Sequence, residues 1–155
     1  MNFRERSVIF IATGCFSGKV PIAPGTIGSM WGLPIAYCLS KMNFWAAGVV
    51  IAAMTSIAVV ISHEAERLLN QRDPGCIVID EIVGMTATLW GLPFDLLTVI
   101  CGFLLFRGFD IAKPFPIRFF EKRMKGGAGI VLDDVMAGVF GNLALRGILF
   151  MVRDG

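Results

Sequence analysis

The chain has 155 residues, of which 55% are apolar and only 17% charged, and its formal net charge is +2. Soluble domains carry about 25% charged residues; with fewer, the surface of a water-soluble globule of this length goes uncovered. Apolar content this high excludes a disordered chain, and so small a net charge without a long basic tract excludes a nucleic-acid partner. What remains is an integral membrane protein of mean hydropathy +0.73, with a length that fits a single domain, 1–155.

The first apolar block, residues 7–16, is shorter than the roughly 20 residues a membrane span requires. Its basic start resembles a signal peptide, but the apolar run passes into Gly18-Lys19-Val20-Pro21 with no small-residue cleavage site, so no cleavage is expected. A Gly/Pro loop over 18–28 leads to a second block, 27–40, which contains Pro34. Residues 44–62 form the clearest span, with no charge between Met42 and Ser62. Blocks 82–92 and 96–109 are divided by Gly91-Leu92-Pro93-Phe94-Asp95, a cluster that reads as the turn of a helical hairpin. Segment 115–125 mixes aromatic and basic residues, as does a helix lying among headgroups, where it would attract anionic membrane lipid. The last span runs over about 130–152. The expected fold is therefore an all-α integral membrane protein: a small polytopic helical bundle of about four spans, with a short N-terminal or re-entrant helix and an interfacial amphipathic helix. The cysteines Cys15, Cys38, Cys76 and Cys101 lie far apart, and give neither a disulfide nor a zinc pattern.

Basic residues set the orientation. Lys113, Arg118, Lys122, Arg123 and Lys125 stand against Glu121 alone, so 113–125 is expected in the cytoplasm, with Arg4 and Arg6 on the same side. Counting crossings then places 63–79 there too, and the 91–95 turn and the C-terminus outside; Arg153 runs against this pattern. The result brings Asp80, Glu81, Arg107, Asp110, Asp133, Asp134, His63 and Glu64 to one face.

Carboxylates at the border of hydrocarbon are costly and mark functional sites. Asp80-Glu81 and Asp133-Asp134 are adjacent acidic pairs, and each heads a stripe of small residues: Asp80, Gly84, Thr88 and Asp133, Ala137, Gly141. Small stripes let helices approach closely, which would draw the acids together, and hard oxygen donors without thiolates point to Mg²⁺. A single acidic pair at a helix start is ordinary dipole complementarity; two at one face are less so. Arg107, Asp110 and Lys113 follow at i, i+3 and i+6 just before Pro114, a spacing suited to a phosphate clamp, although basic anchors beside a salt bridge would look alike. The loop 21–29 carries Gly25, Thr26 and Ser29 into a helix start, where backbone N–H groups can receive an anion; such loops also serve as packing elements. The glycines of 126–129 read as a hinge. Cys101 and Arg107 match the C-x5-R spacing of cysteine phosphatases, but bulky apolar residues in a helix cannot form the amide cradle that chemistry needs. His63 is the only histidine, which excludes phosphatases that use two.

The segments Pro24-Gly25-Thr26-Ile27-Gly28-Ser29, Ile77-Val78-Ile79-Asp80-Glu81-Ile82-Val83-Gly84, Phe106-Arg107-Gly108-Phe109-Asp110-Ile111-Ala112-Lys113-Pro114-Phe115-Pro116-Ile117-Arg118 and Gly126-Gly127-Ala128-Gly129-Ile130-Val131-Leu132-Asp133-Asp134 resemble, in order and spacing, the phosphatidylglycerophosphatase A family, over about residues 11–142. The resemblance implies a bacterial inner-membrane, Mg²⁺-dependent lipid phosphatase acting on phosphatidylglycerophosphate. On that reading Asp80, Glu81, Asp133 and Asp134 hold the metal and join Asp110 in catalysis, while Arg107, Lys113, Gly25, Thr26 and Ser29 bind the substrate. Two rivals use the same acids. A cation carrier would carry charges near the midplane and an internal repeat, and neither is present; a CDP-alcohol phosphotransferase would carry D-x2-D-G-x2-A-R, which is absent.

Overall fold

A computed structural model describes residues 2–119, 124 and 126–153, and among them there is no strand. The helices are α1 (Phe3–Ala12), α2 (Pro24–Leu39), α3 (Phe44–Leu69), α4 (Ile79–Thr88), α5 (Leu96–Ala112) and α6 (Gly127–Arg153), with a 3-10 turn at Ser17–Lys19. Their boundaries follow local chemistry. Asn2 and Glu5 form a reciprocal capping box that starts α1, and Asn43 accepts the Ala46 N–H at 2.8 Å to start α3. Asp95 accepts the Thr98 N–H at 3.0 Å, so the expected hairpin turn ends on an N-cap. At the other end of α5, Lys113 adopts a left-handed φ of 41° and Pro114 prevents continuation.

Two helices, α3 and α6, are long and apolar enough to cross a membrane. The core helix of a soluble protein would bury such a surface; here 17% of the apolar window of α3 and 33% of that of α6 is buried. Large side chains such as Trp45, Val49, Ile57 and Val60 on α3 remain exposed, which is the surface a lipid environment accepts. These helices associate the chain with a membrane. Of the expected interfacial helix, residues 120–123 and 125 lie outside the described residues.

The short α4 is the centre of the bundle. Eight of its ten residues are buried, with α2, α3 and α6 packed around it. Val83 packs with Ala58 of α3 and Val131 of α6, while Ile77, just before α4, packs with Ala65 and Ile130. The crossing with α6 is nearly backbone on backbone: a Cβ on Gly138 would stand 2.3 Å from the Gly84 carbonyl oxygen, and one on Gly84 would stand 2.7 Å from that of Asp134. The expected small-residue contact is present, with Gly141 against Thr88 and Ala137 fully buried. Its tightest point, however, is Gly138, one position along from the anticipated stripe. The 126–129 glycines pack rather than hinge: a Cβ on Gly127 would meet the Val59 carbonyl oxygen at 2.0 Å and the His63 nitrogen at 2.5 Å.

At the other end of the crossing, α6 caps α4. The Asn142 amide donates to the carbonyls of Thr88 (2.8 Å) and Trp90 (2.9 Å), and Arg146 donates to Asn142 Oδ1 at 2.8 Å and to the Trp90 carbonyl at 3.0 Å. Helix C-terminal carbonyls in an apolar setting need such partners. The Trp90 ring stacks on Phe44 at 4.4 Å, and its Nε1 donates to the Phe44 carbonyl at 3.0 Å, joining the end of α4 to the start of α3.

Gly138→Ala should therefore separate α4 from α6 and lower the thermal midpoint in detergent by several degrees. Gly147→Ala, on the same helix with nothing within 4 Å of its added Cβ, should leave the midpoint unchanged or raise it, since alanine gains about 1 kcal/mol of helix propensity over glycine. Differential scanning fluorimetry of the two variants checks the contrast.

Candidate active site

Asp80 and Glu81 occupy the first turn of α4, where the positive end of the helix dipole favours acids. The backbone leading into them is held firmly. The Val78 N–H donates to the Ala12 carbonyl at 2.9 Å. Gly18 and Gly28 approach so closely that their Cβ atoms would stand 2.1 Å from the Cys76 carbonyl oxygen and 2.6 Å from Val78 Cβ. Asp134, brought in on α6 by the glycine crossing, completes a trio: ligand atoms of Asp80, Glu81 and Asp134 lie within 4.8 Å of one another. Asp80 and Asp134 are buried, at 7% and 4% exposed. One oxygen of each acid, Asp80 Oδ1, Glu81 Oε2 and Asp134 Oδ2, is buried without a hydrogen-bond partner.

The cations stand around this trio. Arg107 Nη1 is ion-paired with Asp110 one turn later on α5, and Arg107 Nε is buried without a partner. Asp110 also stands near Asp134. Lys113 Nζ donates to Asp133 Oδ2 at 2.5 Å, bridging the end of α5 to α6. Asp133 thus faces a different neighbour from Asp134. The structure gathers Asp80, Glu81, Asp134, Asp110 and Arg107 tightly, and sets Asp133 and Lys113 beside them as a pair.

The loop residues divide similarly. Ala23 caps α2 in a left-handed conformation with φ 49° and Pro24 opens the helix, which turns Gly25 onto the acids. A Cβ there would stand 2.3 Å from Glu81 Oε1 and 3.2 Å from Arg107 Nη1, so only glycine fits. Thr26 is half-buried beside it. Ser29 is fully buried and donates to the Gly25 carbonyl at 2.7 Å; it braces the backbone of the loop. Cys101 sits within α5, partly buried against the core cluster of Phe106 and Leu145, with no loop of amides around it.

Asp73, Glu66 and Arg72 are not among the residues that the sequence singles out. In the structure they line a polar cleft of about 330 Å³ with Asp133, Gly126 and Gly129. Asp73 is held at φ 46° and donates its N–H to Glu66 at 3.2 Å. No local pattern announces this cleft, because its walls come from the ends of α3 and α6 and the loop before α4.

Chemically, the arrangement offers hard, under-coordinated oxygens from three acids, a guanidinium with a donor to spare, and a glycine-lined approach: a place for a divalent cation and a phosphate. The Phosphatidylglycerophosphatase A family profile matches residues 10–149. Phosphatidylglycerophosphatase A of Escherichia coli K12 is 38% identical over 143 residues, covering 92% of this chain and 81% of that protein. The protein of the same name from Haemophilus influenzae Rd is 32% identical over 142 residues, covering 90% and 87%. A Bacteroides thetaiotaomicron protein provisionally named phosphatidylinositol-3-phosphatase is 35% identical over 140 residues, covering 85% and 87%. No solved structure matches the chain. With a family profile spanning nearly its whole length and relatives matched over most of theirs, the chain belongs to the phosphatidylglycerophosphatase A family.

Proposed function

We infer that this chain is a lipid phosphatase that hydrolyses the phosphate monoester of phosphatidylglycerophosphate to phosphatidylglycerol and inorganic phosphate, in phospholipid biosynthesis. The reading rests on one observation above all: the buried trio Asp80, Glu81 and Asp134, set beside Arg107 in a chain whose relatives bear that name. The trio fits Mg²⁺, because three carboxylates at this range repel unless a cation intervenes, and their unpartnered oxygens are the hard donors that ion prefers. When bound there, the ion would polarise a phosphate oxygen and lower the pKa of a water molecule.

The protein's own groups do the rest. Arg107 presents its free Nε to a phosphate oxygen while Asp110 fixes the guanidinium through Nη1. Lys113, oriented by Asp133, adds a second positive charge from the end of α5. Gly25 lets the start of α2 lie directly against Glu81 and Arg107, which brings the first N–H groups of α2 to the site as donors for an anion. In the hydrolysis a P–O bond to water forms, the bond to the glycerol oxygen breaks, and the water proton passes to a carboxylate that hands it on to the departing glycerol oxygen. Asp110, at the edge of the trio, is the group we assign to receive it.

The finer topology belongs to the same proposal. We assign α3, α5 and α6 as the long crossings of the bacterial inner membrane, and the shorter α2 and α4 as the passages that connect them from face to face. The acid ends then face the cytoplasm, following the basic residues Arg4, Arg6, Lys113 and Arg118. The basic 115–125 segment would meet anionic lipid at that face.

The deciding experiment is phosphate release by the purified protein in mixed micelles, with and without EDTA. Phosphatidylglycerophosphate should be cleaved in a Mg²⁺-restorable manner and phosphatidylinositol 3-phosphate much more slowly; the reverse preference would transfer the assignment to the inositol lipid. Asp80→Asn, Glu81→Gln and Asp134→Asn should each lower kcat by about 100-fold or more, the scale of a lost transition-state electrostatic contact, and each should weaken Mn²⁺ binding measured by electron paramagnetic resonance. Near-normal turnover in any two of them would sink the metal assignment. Asp133→Asn should act through Lys113, raising KM more than it lowers kcat.

Arg107→Lys keeps the charge but loses the forked donor geometry, and should cost at least tenfold in kcat. Gly25→Ala should cost a comparable factor by displacing Glu81. Gly108→Ala, beside Arg107 but with nothing within 4 Å of its Cβ, should be silent. Steady-state kinetics at fixed surface concentration of lipid reads all three.

A further inference from the structure

On the side of α4 turned away from the carboxylates, an apolar groove of about 460 Å³ is walled by Trp31 and Ile35 of α2, Met54 and Ile57 of α3, and Ile82 and Val83 of α4. At about 100° per residue, Ile82 and Val83 centre on the opposite flank of α4 from Asp80 and Glu81. Phe10 and Ile11 of α1 close its upper end, and the same two residues also line a second recess with Arg6, Ser7 and Phe16. The two hollows thus adjoin at Phe10 and Ile11. Around the upper one the aromatic and cationic groups interlock: Phe10 and Phe16 meet edge to face at 5.2 Å, and Lys19 Nζ lies 4.8 Å from the Phe16 ring centroid. Arg6 and Lys19 are both exposed.

We propose that this groove binds one anionic phospholipid that is not the molecule being hydrolysed, with an acyl chain along Trp31, Ile35, Met54 and Ile57 and its phosphate between Arg6 and Lys19. Shape and charge argue together. The lower part has apolar walls at the depth of the α3 span, where an acyl chain is the available ligand. The upper part carries Arg6 of α1 and Lys19 of the 3-10 turn, where a headgroup would lie; the phosphate of a zwitterionic lipid brings its own ammonium to these cations, whereas an anionic lipid brings net negative charge, which basic groups at a membrane surface attract. The carboxylate site cannot be the destination of this headgroup, because the bulk of α4 stands between the two. The proposal rests on the bilayer placement described above but not on the reaction chemistry.

Trp31 is a reporter within the groove, whereas Trp45 and Trp90 lie together near the opposite end of α3. The protein is reconstituted in vesicles containing dibrominated phosphatidylglycerol, phosphatidylserine or phosphatidylcholine, and the Trp31 contribution is taken as wild type minus Trp31→Phe. Both brominated anionic lipids should quench Trp31 at least twofold more than brominated phosphatidylcholine. The Arg6→Gln, Lys19→Gln double variant, whose circular dichroism should match wild type, should abolish that preference. Equal quenching by all three lipids would overturn the proposal, as ordinary bilayer contact, and so would an anionic preference that survives in the double variant. A preference for phosphatidylglycerol alone would also overturn it, as the behaviour of product at the carboxylate site. The readout is independent of turnover, so an inactive protein that retains the preference would count against the assigned reaction and not against this site.

Discussion

The contact of Gly84 with Gly138 is the constraint on which the rest of the molecule depends. Each helix brings acids from its own sequence, Asp80 and Glu81 on α4 and Asp134 on α6, and the separation of the two backbones sets the distance between them. A single Cβ at Gly138 would stand 2.3 Å from the Gly84 carbonyl oxygen, so any side chain there moves the acids apart. The crossing is braced at its far end by Asn142 and Arg146 on the carbonyls after α4. That brace matters because the near end is electrostatically unfavourable. Among the described residues, Asp80, Glu81, Asp110, Asp133 and Asp134 gather beside Arg107 and Lys113, an excess of negative charge in a place of low dielectric. The fold holds like charges together by packing elsewhere, an arrangement that suits the cation proposed above.

Features fixed by neighbouring residues were legible in the sequence. The hairpin turn is one: Asp95 caps α5 through Thr98, three residues away. The end of α5 is another, set by Lys113 and Pro114. The acidic pairs and Arg107 with Asp110 were legible as well, since each lies within one helical turn. What sequence could not supply was which acids meet. Asp133 and Asp134 are adjacent, yet one turns to Lys113 and the other to Asp80 and Glu81, and that choice depends on the rotation of α6 set by Gly138. The end of α4 was hidden for a similar reason. Apolar residues continue to Leu92, but the helix stops at Thr88 because its carbonyls find Asn142, more than fifty residues away. Asp73, beside Asp133 across a loop, carried no local signal at all.

The brevity of α4 explains where the chemistry sits. Ten residues rise about 15 Å, half the roughly 30 Å of a hydrocarbon core. Its far end is fixed near the start of α3 by Trp90 and Phe44, so its near end cannot reach the surface that α3 reaches. Asp80 lies between the levels marked by Ala58 and Ala65, about one to three turns inside the end of α3 at Leu69. A helix of full spanning length would have carried the same acids out toward the level of Leu69 at the end of α3, where fewer helices would surround them. A helix starting deep within the core would have put them beyond reach of a phosphate. At this depth the polar cleft of Glu66, Arg72 and Asp73 opens beside Asp133 toward the aqueous loops, while the apolar groove occupies the opposite flank of α4. On the proposed reaction, the polar cleft would serve water and released phosphate on one side, with the apolar groove on the other. The partition comes from a single ten-residue helix carrying acids on one face and isoleucine and valine on the other.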